Sequence, residues 1–88
     1  MKMEISVELT LTPLQDSFEE PIIAFIQKLR ASGLTVIENP LSTQLYGEYD
    51  AVMEVLRVEI KEVFELMDKG LLYMKIVKSD RSTYEPHF

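Results

Sequence analysis

Cysteine and tryptophan are absent from this 88-residue sequence, histidine occurs once and glycine three times. Without cysteine there are no disulfides, no thiolate metal ligands and no sulfur nucleophile. The single histidine, His87, stands one residue from the C-terminal Phe88, so a histidine triad or a multi-histidine metal site has no ordinary place to form. Basic residues are also scarce, with nine Lys and Arg against fifteen Asp and Glu and a formal charge of −6. Polyphosphate binding depends on clustered cations, so this balance disfavours nucleic acid and suits neutral or cationic ligands better. No apolar run approaches the roughly 20 residues of a membrane span, and the opening Met1-Lys2-Met3-Glu4-Ile5 reaches an acidic residue before any apolar stretch. The expectation is a cytoplasmic protein with no metal, no cofactor and no nucleic-acid or membrane partner.

What the sequence does have is aliphatic material, with 47% hydrophobic residues, enough for one core. A domain of this size buries only roughly 60–68% of the surface its unfolded chain exposes, so self-association would add useful buried area. Residues 1–80 read as one domain and 81–88 as a C-terminal tail. From Glu4 to Leu11 apolar Ile5, Val7, Leu9 and Leu11 alternate with Glu4, Ser6, Glu8 and Thr10, the period of a strand with one buried face. Pro13 ends it. Ser17 stands three residues before Glu20, a capping-box spacing, and Phe18, Ile22, Phe25, Ile26 and Leu29 then form one stripe of a helix over about residues 18–32, stopped by Gly33. Thr35 to Glu38 and Leu41 to Glu48 flank the turn residues Asn39-Pro40 and read as a hairpin.

Asp50 is placed to cap a second helix of about 20 residues, with Val52, Met53, Leu56, Ile60, Val63, Phe64 and Met67 as its buried stripe and Gly70 as its stop. Its charged side, with Glu54, Arg57, Glu59, Lys61, Glu62 and Glu65, reads as a solvated face. Leu72, Met74 and Ile76 mark a fourth strand. The order strand, helix, strand, strand, helix, strand is the ferredoxin-like βαββαβ pattern of the α+β class, a four-stranded antiparallel sheet with both helices on one face.

If the helices cover the face that takes Ile5, Val7 and Leu9, then Ser6, Glu8 and Thr10 lie on the other, where water, a ligand or a second subunit meets them. RNA-binding domains of this topology stack bases on aromatics of the central strands, and the first strand here has none. In Ser42-Thr43-Gln44-Leu45-Tyr46-Gly47, hydroxyls beside an amide supply both donors and acceptors, which suits the edge of a nitrogen heterocycle but also merely suits strand geometry. Tyr46 and Tyr73 could stack on such a ring or simply pack.

Thr10-Leu11-Thr12-Pro13-Leu14, followed by the first helix and then by Leu41-Ser42-Thr43-Gln44-Leu45-Tyr46-Gly47, resembles the YkoF-type thiamine/hydroxymethylpyrimidine-binding family over about residues 5–80. The resemblance implies a non-enzymatic domain that binds thiamine or its hydroxymethylpyrimidine half. Carried over by motif, Thr10 matches the family's strand-one hydroxyl, and Ser42 and Thr43 match its Ser-Thr pair. Relatives with two fused domains hold the repeat twice; this chain holds it once, so a homodimer or homotetramer is expected. Carboxylates such as Glu8, Glu48 or Asp50 near the pocket would favour the thiazolium cation. Ligand-contact candidates are therefore Thr10, Ser42, Thr43, Glu8 and Tyr46. No glycine-rich phosphate loop is present and no basic cluster accompanies the candidate hydroxyls, so phosphorylated thiamine is expected to be the poorer ligand.

Two points stay open at the level of sequence. Alternation puts Thr43 with Leu45 and Thr10 opposite Leu9 and Leu11, so both reach one pocket only through a bulge near Ser42 or a site at the open end of the sheet. The same fold also admits a small isomerase or cofactor-free oxygenase with Glu8 as its base, or a regulatory or structural oligomerisation module. The tail reads either as a disordered terminus or, through Tyr84 and Phe88, as an anchor on a neighbouring subunit.

Overall fold

The alternating segment forms β1, Glu4–Pro13, at the centre of the sheet in the computed structural model, which describes residues 2–87. It is followed by α1 (Glu19–Arg30), β2 (Thr35–Glu38), β3 (Thr43–Glu48), α2 (Tyr49–Leu66) and β4 (Gly70–Val77). The strand order is β2-β3-β1-β4, and every neighbouring pair is antiparallel. This is the ferredoxin-like α+β arrangement. Ile5, Val7 and Leu9 of β1 and Leu45 of β3 are buried together with Phe25 and Leu29 of α1 and Val52, Leu56 and Val63 of α2, so one face of the sheet carries both helices and the whole core.

The ends of the elements depart from the sequence reading in ways that have physical causes. The first residue of α1 is Glu19, its N-cap is Phe18, and no side chain caps it, so Ser17 makes no capping box. With this start the third helical position is Pro21, which has no N–H for a cap to accept. Phe18 is left half-exposed outside the helix. At the other end the helix stops at Arg30, and Gly33 adopts φ +86°, the left-handed region expected of it. The cap of α2 is Glu48, whose carboxylate accepts from the backbone N–H groups of Asp50 and Ala51, while Asp50 itself lies in the first turn. β3 therefore runs into α2 without a loop. α2 ends at Leu66, four residues before Gly70, and Phe64 faces solvent rather than joining the buried stripe. β3 starts at Thr43, because Asn39 Oδ1 accepts from the N–H groups of both Leu41 and Ser42 and holds that segment as a turn.

In β4, Leu72 packs against the core, whereas Met74 and Ile76 stay about two-fifths exposed although they share a face with Leu9 and Val7. The helices pack chiefly over β1, β2 and β3 and leave this edge uncovered. Gln15 stitches the two connections at the far end of the sheet, accepting from the N–H of Asp68 and donating to the carbonyl of Ser17.

The charged side of α2 is not uniformly solvated. Glu59 turns toward α1 and lines a small cavity of about 40 Å³ with Phe25, Lys28, Glu62 and Val63, room for a water and not for a ligand. Glu59 Oε1 is buried without a hydrogen-bond partner. Burial first, and the neighbouring Glu62 second, push its carboxyl above the usual carboxylate range, with Lys28 pulling the other way. A raised acid stabilises the fold below the ordinary carboxylate range and loses that contribution as pH rises through the raised value. Glu59→Gln is accordingly expected to raise Tm at pH 7 by roughly 1–3 °C, the size of one relieved like-charge helix pair. In melts at pH 4 the difference should close; a gain of the same size at both pH values would contradict the assignment.

Candidate functional site

The face of the sheet opposite the helices carries a solvent-open hollow of about 380 Å³, a volume in the range of small-molecule sites. Its floor is set by register. Across the three strands run the rows Tyr46, Ser6, Val77 and Gln44, Glu8, Lys75, whose side chains share one face because directly opposed residues of antiparallel strands do. Arg81, beyond the end of β4, completes the lining. Ser6 is nearly fully buried because the chain after β4 folds back across it: its hydroxyl donates to the carbonyl of Ser79 at 2.7 Å and accepts from the N–H of Arg81 at 2.9 Å.

Glu8 is the one carboxylate among the lining residues. Its Oε2 accepts from the hydroxyl of Ser42 at 3.0 Å, and its Oε1 lies 3.9 Å from the ammonium of Lys75. Tyr46 donates its hydroxyl to Gln44 Oε1 at 2.9 Å, which leaves the amide NH₂ of Gln44 as a donor. Thus Glu8, Ser42 and Tyr46, three of the five candidates, come together. Thr10 is exposed and does not line the hollow; its hydroxyl is directed to the carbonyl of Leu41 at a long 3.4 Å.

Thr43 does not join them. It pairs with Leu9 and is buried on the helix side, so the sheet itself separates it from Glu8 and Tyr46. The alternation conflict seen in the sequence is thereby resolved against a shared pocket for Thr10 and Thr43. Glu48 is occupied as the cap of α2 and Asp50 lies in that helix, so neither carboxylate lines the hollow. Tyr73, opposite Thr10, points into solvent. The residues that sequence reasoning missed are Lys75, Val77 and Arg81. The first two follow from the β1–β4 register, which alternation alone does not fix; Arg81 had no sequence signal. Tyr84 sits beneath the Arg81 guanidinium, 4.8 Å from its ring centroid, and Phe88 lies outside the described residues. Among the described residues no group of His, Asp and Glu could hold a metal ion, and no helix is long and apolar enough to cross a membrane.

The model of the thiamine-binding protein family matches residues 7–86, from within β1 through both helices and the other three strands to the segment that carries Arg81. The chain belongs to the thiamine-binding protein family. Solved structures agree on the architecture of this family member. A Thermotoga maritima protein assigned provisionally to thiamine biosynthesis or salvage superposes with a TM-score of 0.76, at 19% identity over 83% of this chain and 81% of its own. A domain of unknown function from Bacillus cereus gives 0.76 at 16% identity, covering 91% of this chain and 80% of its own. A Streptococcus pneumoniae protein gives 0.70 at 25% identity, covering 94% and 92%. No curated protein matches the chain significantly.

Proposed function

We propose that this member of the thiamine-binding protein family binds thiamine, or its hydroxymethylpyrimidine half, in the hollow on the open face of the sheet, without catalysing a reaction, as a homodimer or homotetramer in the cytoplasm. The observation that carries the reading is the pairing of Glu8 with the Gln44 amide in one row of that face. A 4-aminopyrimidine presents an exocyclic amine beside ring nitrogens; the Glu8 carboxylate can accept from the amine while the Gln44 NH₂ donates to a ring nitrogen. Tyr46 offers an aromatic wall, and Ser42 fixes the carboxylate that does the accepting. The same carboxylate favours a thiazolium cation.

The Glu8 carboxylate is held by the Ser42 hydroxyl and stands 3.9 Å from the Lys75 ammonium, an arrangement suited to holding a charged group. Self-association is supported by β4, an edge strand whose two faces show Leu71, Tyr73, Met74, Ile76 and Val77 to solvent. A long apolar edge of that kind calls for a covering strand.

Isothermal titration of ligand-free protein with thiamine should give saturable heat with one site per protomer, and sedimentation of the same sample should give two or four times 10.2 kDa. Absence of both heat and a thermal shift at millimolar thiamine removes the binding claim. A monomer that still binds removes only the assembly.

A further inference from the structure

The chain as a whole is acidic, yet the hollow is not: Lys75 and Arg81 line it against the single carboxylate of Glu8. The two cations come from different elements, β4 and the segment after it, and stand 67 and 73 positions from Glu8 in sequence, so no basic cluster is visible until the chain folds. Lys75 is 3.9 Å from Glu8, a loose exposed contact that leaves most of the ammonium's donors free. The guanidinium of Arg81 pairs with no carboxylate among the described residues; it lies over the ring of Tyr84 instead.

The placement of Arg81 is built rather than incidental. Its backbone N–H is tied to Ser6 Oγ, and the same oxygen donates to Ser79, so a nearly buried hydroxyl on the central strand holds both ends of the segment that delivers the arginine to the rim. Asp80, between them, accepts from the N–H and hydroxyl of Ser82 and is not among the residues that line the hollow. A site for unmodified thiamine alone would gain nothing from a lining with two cations against one carboxylate, because thiamine brings a positive charge of its own. A phosphate monoester carries about −1.5 to −2 at pH 7 and several strong acceptor oxygens, and it matches an arginine fork beside a lysine.

Resting on the reading above, that the hollow takes the aminopyrimidine, we propose that it prefers the phosphorylated form of that ligand, with Arg81 and Lys75 as the specificity-determining residues for the phosphate. This reverses the order of ligands expected from the sequence.

The test compares thiamine, thiamine monophosphate and inorganic phosphate as titrants of the full chain, in the wild type, Arg81→Gln and Arg81→Lys. The expected result is monophosphate binding at least tenfold tighter than thiamine in the wild type, a ratio that falls toward one in Arg81→Gln and is partly kept in Arg81→Lys. Because Arg81 is exposed, the variants are expected to keep the wild-type melting temperature. Thiamine binding as well as or better than its monophosphate overturns the phosphate preference and leaves the thiamine reading intact. Binding by neither removes both. Inorganic phosphate binding as tightly as the monophosphate also overturns the proposal, since the heterocycle would then contribute nothing.

Discussion

Replacing Leu45 by alanine is expected to lower Tm by roughly 10–30 °C, from a loss of about 2–5 kcal/mol. Leu45 is completely buried on β3, paired with Val7 on one side and Val36 on the other, in the cluster that the helices close with Leu29 and Leu56. Truncation removes the transfer free energy of the side chain and leaves a cavity that neighbours on two strands and two helices cannot all move to fill. A domain of 88 residues has a total stability on the order of 4–13 kcal/mol, so one such cavity consumes a large share of it. Leu41, four positions earlier and almost wholly exposed in the turn, supplies the control: Leu41→Ala should change stability by no more than about 0.5 kcal/mol. A small effect at Leu45 in thermal or urea denaturation would show that β3 is not the strand that organises the core.

Glu8→Ala should weaken thiamine binding by roughly 10- to 100-fold while moving Tm by no more than about 3 °C. The two magnitudes differ because the carboxylate is half-exposed in the free protein, where its contact with Lys75 is a surface pair of small net worth, whereas a hydrogen bond from a ligand amine to a charged acceptor is worth about 1.5–3 kcal/mol. Ser42 loses its partner in the same variant but retains access to water. Glu8→Gln, which keeps one acceptor oxygen and loses the charge, should fall between the wild type and Glu8→Ala. Calorimetry reads both, and wild-type affinity in Glu8→Ala would place the ligand somewhere other than the open face.

The two experiments address opposite faces of the same strand. Val7 and Leu9 of β1 look into the core beside Leu45, and Ser6 and Glu8, between and before them, look into the hollow. Binding and stability are thereby carried by alternate residues of one segment. This is why a polar substitution at Glu8 can be read as a change in binding, with the core beneath it left in place.

The period-two pattern from Glu4 to Leu11, the helical stripes through Phe25 and Leu29 and through Val52, Leu56 and Val63, and the shorter strand segments between and after them defined the βαββαβ order, much of the core and the polar character of the exposed sheet face, because burying apolar side chains is a demand each segment states locally. The candidate pair Glu8 and Tyr46 was legible for the same reason, through alternation. The caps were not: whether Ser17, Phe18, Asp50 or Glu48 ends up at a helix start depends on which backbone N–H groups the incoming strand leaves unpaired, and that is settled by how β1 and β3 dock. Alternation did put Thr43 with Leu45 on the core side, but it could not show that Ser42, outside the strand in the turn, reaches Glu8. Lys75 and Arg81 enter the hollow only because β4 pairs with β1 in one particular register and the following residues fold back onto Ser6. Pairings between residues some 70 positions apart are fixed by the assembled sheet, and with them the charge of the site.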